Sequence, residues 1–255
     1  MGDTNKKQDL LNSTMSLGDH LEELRSRLIL ALLGLVICAV IGFFFGKKII
    51  SFIEGPYISA MGTEARLITL APADGFVSYV KIALMTGLII SSPWVFYQLW
   101  MFVAAGLYPS EKRYVYLAAP FSAALFVVGV FFFILVVAPI TLNFLVKFNE
   151  KMLGVNSSFT FQRYISFVTH LMLVFGIAFQ TPVAIFFLNR TGLVSLKALS
   201  KSRKYVLLAI FVVAALATPP DVVSQVTLAL PLYLLFELGI LISYIAGRRK
   251  TSQNN

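Results

Sequence analysis

Charge is scarce in this sequence: Asp, Glu, Lys and Arg make up 13% of its 255 residues, against 58% hydrophobic residues. With a mean hydropathy of +0.83, this excludes an ordinary water-soluble domain and makes lipid the solvent for most of the chain. Cysteine is nearly absent. Cys38 is the only one, so there is no internal disulfide and no multi-cysteine metal site. Two histidines, His20 and His170, do not restore a metal reading, and no metal or other cofactor is expected. No glycine-spaced loop ends in Gly-Lys-Ser or Gly-Lys-Thr, which removes phosphate-loop nucleotide chemistry. Any work done by the protein must draw its energy from elsewhere.

What is abundant points the same way. Twenty-three Phe and ten Tyr suit packing between apolar helices and settling at headgroup level. The net charge of +9 lies beside apolar runs without any nucleic-acid motif, so it reads as loops held against anionic lipid. Six segments approach the roughly 20 apolar residues a membrane span requires: 28–46, 82–104, 114–138, 164–188, the short 205–217, and 222–245. The fold class is therefore an all-α polytopic membrane protein with six transmembrane helices. Residues 1–27 form an amino-terminal segment, 28–245 the membrane domain and 246–255 a tail. The first 27 residues are too polar for a cleaved secretory signal, so the first apolar run is expected to stay in the mature protein.

Orientation follows the lysine and arginine bias of the loops. The two terminal segments and the loops after spans two and four carry fourteen of the 21 basic residues, which predicts both termini cytoplasmic. The exterior connections 47–81 and 139–163 are long enough for caps or short amphipathic helices. A turn at Thr218-Pro219-Pro220-Asp221 joins spans five and six, since prolines followed by an acid can end one helix and open the next. Pro93, Pro120, Pro182 and Pro231 lie inside spans and should bend them. No internal repeat is visible.

Two cytoplasmic carboxylates stand out. Glu23, in His20-Leu21-Glu22-Glu23-Leu24-Arg25-Ser26-Arg27, is four residues from both Asp19 and Arg27, a spacing that shares a helix face. Glu111 is the only acid in the loop after span two, with Phe102, Leu107 and Tyr108 as apolar neighbours. Each fits an ordinary salt-bridged surface acid. Each also fits an acceptor for a guanidinium, which a carboxylate binds through two parallel hydrogen bonds. Glu237, in Leu235-Phe236-Glu237-Leu238-Gly239, is the only acid well inside an apolar span. There a carboxylate must be protonated, paired or water-facing, which fits either a functional group or a neutral acid bonded to another helix.

The His-Leu-x-Glu-Leu-Arg-x-Arg pattern at 20–27, the loop from Phe102 to Glu111, and Thr218-Pro219-Pro220-Asp221-Val222-Val223-Ser224-Gln225 together resemble the TatC family of the twin-arginine translocase, in matching order along nearly the whole chain. The resemblance implies a TatC-like bundle in a bacterial inner membrane. It implies a receptor for twin-arginine signal peptides of folded cargo, which assembles in several copies with TatA and TatB-type single-span proteins and uses the protonmotive force; it does not imply an enzyme. Glu23, Phe102 and Glu111 inherit signal-peptide binding from it. Arg25, Pro56, Phe76 and Asp221 match positions of structural or partner-contact character, as do Pro72 and Lys81. Two departures stand out: Gln180 replaces a common family Glu, so it bonds but carries no charge, and Ala105 replaces a common proline. Gln180 and Glu237 remain intramembrane functional candidates. The rival readings are a secondary transporter of a small solute coupled through Glu237, and a purely structural membrane scaffold.

Overall fold

The computed structural model describes residues 17–62, 66–107, 112–155, 157–218 and 221–252. Glu111 and the Pro219-Pro220 pair lie outside the described residues.

Leucine, isoleucine, phenylalanine and alanine dominate each apolar run, and lipid leaves the backbone no partner but itself, so each run becomes helix. The first, α1 (Leu17–Ile53), has 37 residues and a length of about 55 Å at 1.5 Å per residue, well beyond the 28–46 span. After a one-residue break follows the short α2 (Gly55–Met61), with Pro56 in its first turn, where a missing N–H costs nothing. The second crossing is α3 (Asp74–Ala105). Buried Asp74 accepts the amides of Leu70 and Ala71 at 3.2 and 3.0 Å through Oδ2, which fixes the chain entering α3. Lys81, expected in the exterior connection, therefore lies two turns inside this helix.

The third crossing departs most from the sequence expectation. Instead of ending near residue 138, α4 (Lys112–Phe132) passes through a π-helical turn (Phe133–Val137) into α5 (Ala138–Leu153). Pro139 sits in the first turn of α5; the wider π turn before it absorbs the missing amide that would otherwise stop the helix. The helix ends at Gly154, whose φ of 63° is left-handed, a conformation suited to glycine. Most of the expected exterior loop is thus helical.

The fourth crossing is broken. Pro182 divides it into α6 (Phe161–Ala178) and α7 (Thr181–Arg190), with Phe179 and Gln180 between them, because proline cannot donate to the preceding turn. A short α8 (Leu196–Lys201) is capped by Ser195 Oγ, which accepts the Ala198 amide at 3.2 Å. Then comes α9 (Arg203–Ala217), only 15 residues long, or about 22 Å, less than the hydrocarbon thickness. The last helix, α10 (Val222–Ser252), opens on Asp221, whose Oδ1 accepts the Ser224 amide at 2.6 Å as an N-cap does. Among the described residues, five helical stretches are long and apolar enough to cross a membrane. With α9 as the short fifth, the fold makes six crossings, and the start of α1 and the end of α10 fall at one end.

At the opposite end the two connections meet. Ile68 pairs in parallel with Thr160, and Tyr164 on α6 donates its hydroxyl to the Ile53 carbonyl at 2.6 Å. Tyr57 packs on both Phe159 and Tyr164. Together they form a cap over the bundle.

Without a hydrophobic drive between helices in lipid, contact depends on close approach at small residues. The α1–α3 seam does this at Gly87, where an added Cβ would lie 2.6 Å from the Ala39 backbone. Gly87→Val should therefore wedge α1 from α3 and destabilise the fold by about 1–3 kcal/mol, whereas Gly55→Ala, with nothing within 4 Å of its added Cβ, should be silent. Thermal unfolding in detergent checks the pair; equal melting of Gly87→Val and parent would refute the close seam.

Candidate functional site

The antiparallel α1–α3 seam brings the start of α1 to the end of α3, at the end of the bundle where α10 also finishes. There Arg27 Nε donates to Glu23 Oε1 at 2.7 Å. The guanidinium also donates to Gln98 Oε1 on α3 at 3.1 Å. One turn beyond, His20 stacks on Phe102 with ring centroids 4.6 Å apart. Two of the residues singled out from sequence, Glu23 and Phe102, thus occupy neighbouring turns of one seam. Glu23 Oε2 has no partner among the described residues, and both Glu23 and Phe102 are half-buried.

Gln98 was not a sequence candidate. It is buried, and a lone polar residue in an apolar helix carries no sequence sign of its partner. Its signal was depth, since a buried amide needs a mate. Ala105, in place of the common proline, lets α3 continue to its own position before Gly106 ends it. Arg25 is exposed and makes no ion pair with another described residue.

Gln180 stands at the α6–α7 break. Its Nε2 donates to the Ser122 and Gly176 carbonyls at 3.0 and 3.4 Å, while its buried Oε1 is unpartnered. Ser122 Oγ in turn accepts the Trp100 indole N–H at 2.8 Å. Gln180 therefore ties the broken fourth crossing to the third, and through Ser122 to the second.

Glu237 lies elsewhere. It is 15 residues into α10, about 22 Å from its start, level with the beginning of the short α9. Arg203 there grips both carboxylate oxygens, Nε to Oε1 at 2.8 Å and Nη2 to Oε2 at 2.9 Å. Tyr233 donates to Oε1 at 2.9 Å. The acid that looked alone in its span is paired, with an arginine that sequence reading had counted as a loop charge.

The remaining candidates are scattered. Pro56 is buried in the far cap, Phe76 is exposed on the first turn of α3, and Asp221 caps α10 with a second oxygen left unpartnered. None of them joins Glu23 and Phe102. Among the described residues no three His, Cys, Asp or Glu side chains converge as metal ligands.

Fold and seam define a multi-pass helical membrane protein with a polar, aromatic corner at the end where α1 begins and α10 finishes. Comparison with known proteins narrows this. The pattern of the family described as Sec-independent protein translocase protein (TatC) matches residues 19–231. The TatC protein of Helicobacter pylori strain J99 is 40% identical over 92% of this chain and 92% of its own length. That of Escherichia coli K12 is 37% identical over 91% and 90% respectively. A crystal structure of the twin-arginine translocase receptor TatC superposes with a TM-score of 0.80 at 36% identity, covering 89% of this chain and 99% of that one. The chain belongs to the TatC family.

If the Arg203–Glu237 pair is a tether between α9 and α10, exchanging the charges should restore what either single change loses. Arg203→Glu and Glu237→Arg are each expected to lower the melting temperature in detergent, and the double exchange to recover most of it. An acid needed in its own right at position 237 predicts no recovery of export in the exchanged protein.

Proposed function

We propose that this protein is the receptor subunit of a twin-arginine translocase in a bacterial inner membrane. Its termini face the cytoplasm. The arginine pair of a signal peptide binds at the α1–α3 corner through Glu23 and Phe102, with Glu111 from the adjoining loop. The protein then serves as a platform for TatA and TatB-type single-span partners, several copies assembling in one complex, and the protonmotive force rather than any chemistry of its own drives export of folded cargo.

The observation that carries this reading is the half-engaged carboxylate of Glu23 beside a stacked aromatic pair. Arg27 uses one oxygen and leaves the other for an incoming guanidinium, and two oxygens of one carboxylate can serve two donors. Phe102 and His20 offer flat rings on which a second guanidinium or the following apolar residues can lie. Arginine suits this corner better than lysine, since its planar fork bonds and stacks at once. The transporter alternative finds no support: Glu237 is held by Arg203 and Tyr233, and Gln180 bonds α4 and α6, so the polar groups at membrane depth do not converge on a central cavity.

A signal peptide with Arg-Arg, and its Lys-Lys counterpart, can be photocrosslinked to a probe at Phe102 in the parent, Glu23→Ala and Glu111→Ala proteins. The expected result is crosslinking of the Arg-Arg peptide in the parent and a loss of roughly tenfold or more in each variant, as for a charge-assisted hydrogen bond removed. Equal crosslinking of both peptides to all three proteins would place the recognition elsewhere.

A further inference from the structure

A groove of about 550 Å³ opens between α3 and α6, with Leu35 of α1 on its third side and Lys81 and Ser166 in its wall. Both helices run from the capped end towards the Glu23 end, so their lining residues descend in parallel. Lys81 is seven residues inside α3, about 10 Å from its start, which is headgroup depth on that side. Lys81 Nζ donates to Ser166 Oγ at 2.8 Å. Thr169 and His170 follow one turn lower, and Leu88 and Leu173 line the groove a further turn towards the midplane. The groove is polar at its outer end and apolar at its inner end.

The outer end carries uncompensated positive charge. Lys81 uses one of three N–H donors on a neutral hydroxyl and makes no ion pair among the described residues. Asp74, the acid two turns above it, has already turned an oxygen to the Leu70 and Ala71 amides. Arg163 lies three residues before Ser166, a spacing that shares its face of α6, and is exposed and unpaired with any described acid. The Ser166 hydroxyl keeps its own hydrogen to donate.

We propose that this groove binds one anionic phospholipid, its phosphate held by Lys81 and Ser166 and an acyl chain lying along Leu88 and Leu173. Polar-to-apolar order over two helical turns matches the order of a lipid from headgroup to chain. The unneutralised cations favour a headgroup with net negative charge, since a zwitterionic one brings its own cation beside Lys81 and Arg163. A volume of this size suits a small amphiphile. The site lies at the end opposite the Glu23 corner and does not depend on the receptor reading.

Native mass spectrometry of the full-length protein, delipidated in mild detergent and offered equal phosphatidylglycerol and phosphatidylcholine, tests this. The parent should retain one phosphatidylglycerol with a preference of roughly tenfold, Lys81→Arg should keep most of it, and Lys81→Gln should lose it. Absence of preference in the parent overturns the proposal even if Lys81→Gln fails to fold, and so does a Lys81→Gln protein that keeps the parent's preference. If no lipid is retained and a single-span peptide bearing a glutamate crosslinks to a photoprobe at Leu84, the occupant is a helix instead.

Discussion

Lipid offers no hydrogen bonds, so every amide and carbonyl of this chain at membrane depth must be satisfied by the protein itself. The places where helices cannot satisfy themselves are where the fold becomes particular. Pro139 is absorbed by the π turn at Phe133–Val137. Pro182 is not absorbed, and the break it leaves is held by Gln180, whose amide reaches the Ser122 carbonyl. Asp221 supplies the oxygen that the first turn of α10 lacks. Each device uses a polar side chain or a local change of helical register; the first two lie within the third and fourth crossings, and the last opens the sixth. Gln180 and Asp221 are thus placed by the backbone's needs, whereas Gln98, Lys81 and Glu237 are placed by other side chains.

That same constraint explains how much of the fold was legible in the sequence. Spans one, two, four and six were plain because about 20 consecutive apolar residues in lipid have one stable form. Their ends were not plain. Nothing in apolar periodicity says that α1 continues through Lys47 and Lys48 to Ile53, because helix persists beyond the membrane as long as neighbours cover it. Pro139 read as a stop and is not one; the compensation lies in a π turn, which has no residue signature in Phe133-Ile134-Leu135-Val136-Val137. The fourth span was read as one crossing bent at Pro182, and the helical stretch from Phe161 to Arg190 is interrupted just there, between α6 and α7.

Site legibility divides along a similar line. The Glu23–Arg27 pair and its helix face followed from a spacing of four. Contacts between distant segments did not: Gln98 is 71 residues from Arg27, and Arg203 is 34 residues from Glu237. Arg203 was counted as a loop charge because it precedes an apolar run. The shortness of α9 brings it level with Glu237. A carboxylate that looked too costly to be idle is explained by an arginine at the start of an unusually short crossing.

The two ends of Glu23's environment carry the remaining consequence. Arg27 is itself a guanidinium bound to that carboxylate, at 2.7 Å, and its other arm is fixed by a buried amide on a different helix. The carboxylate's position is thus set by α3 as well as by α1, and the side chain does not have to be ordered when a ligand arrives, which lowers the entropic cost of binding. An unpaired glutamate on a frayed helix would present the same charge with none of this order. On the proposed reading, the intrahelical ion pair and the receptor site are one arrangement: the pair engages Oε1 and leaves Oε2 without a partner among the described residues, one turn from the His20–Phe102 stack.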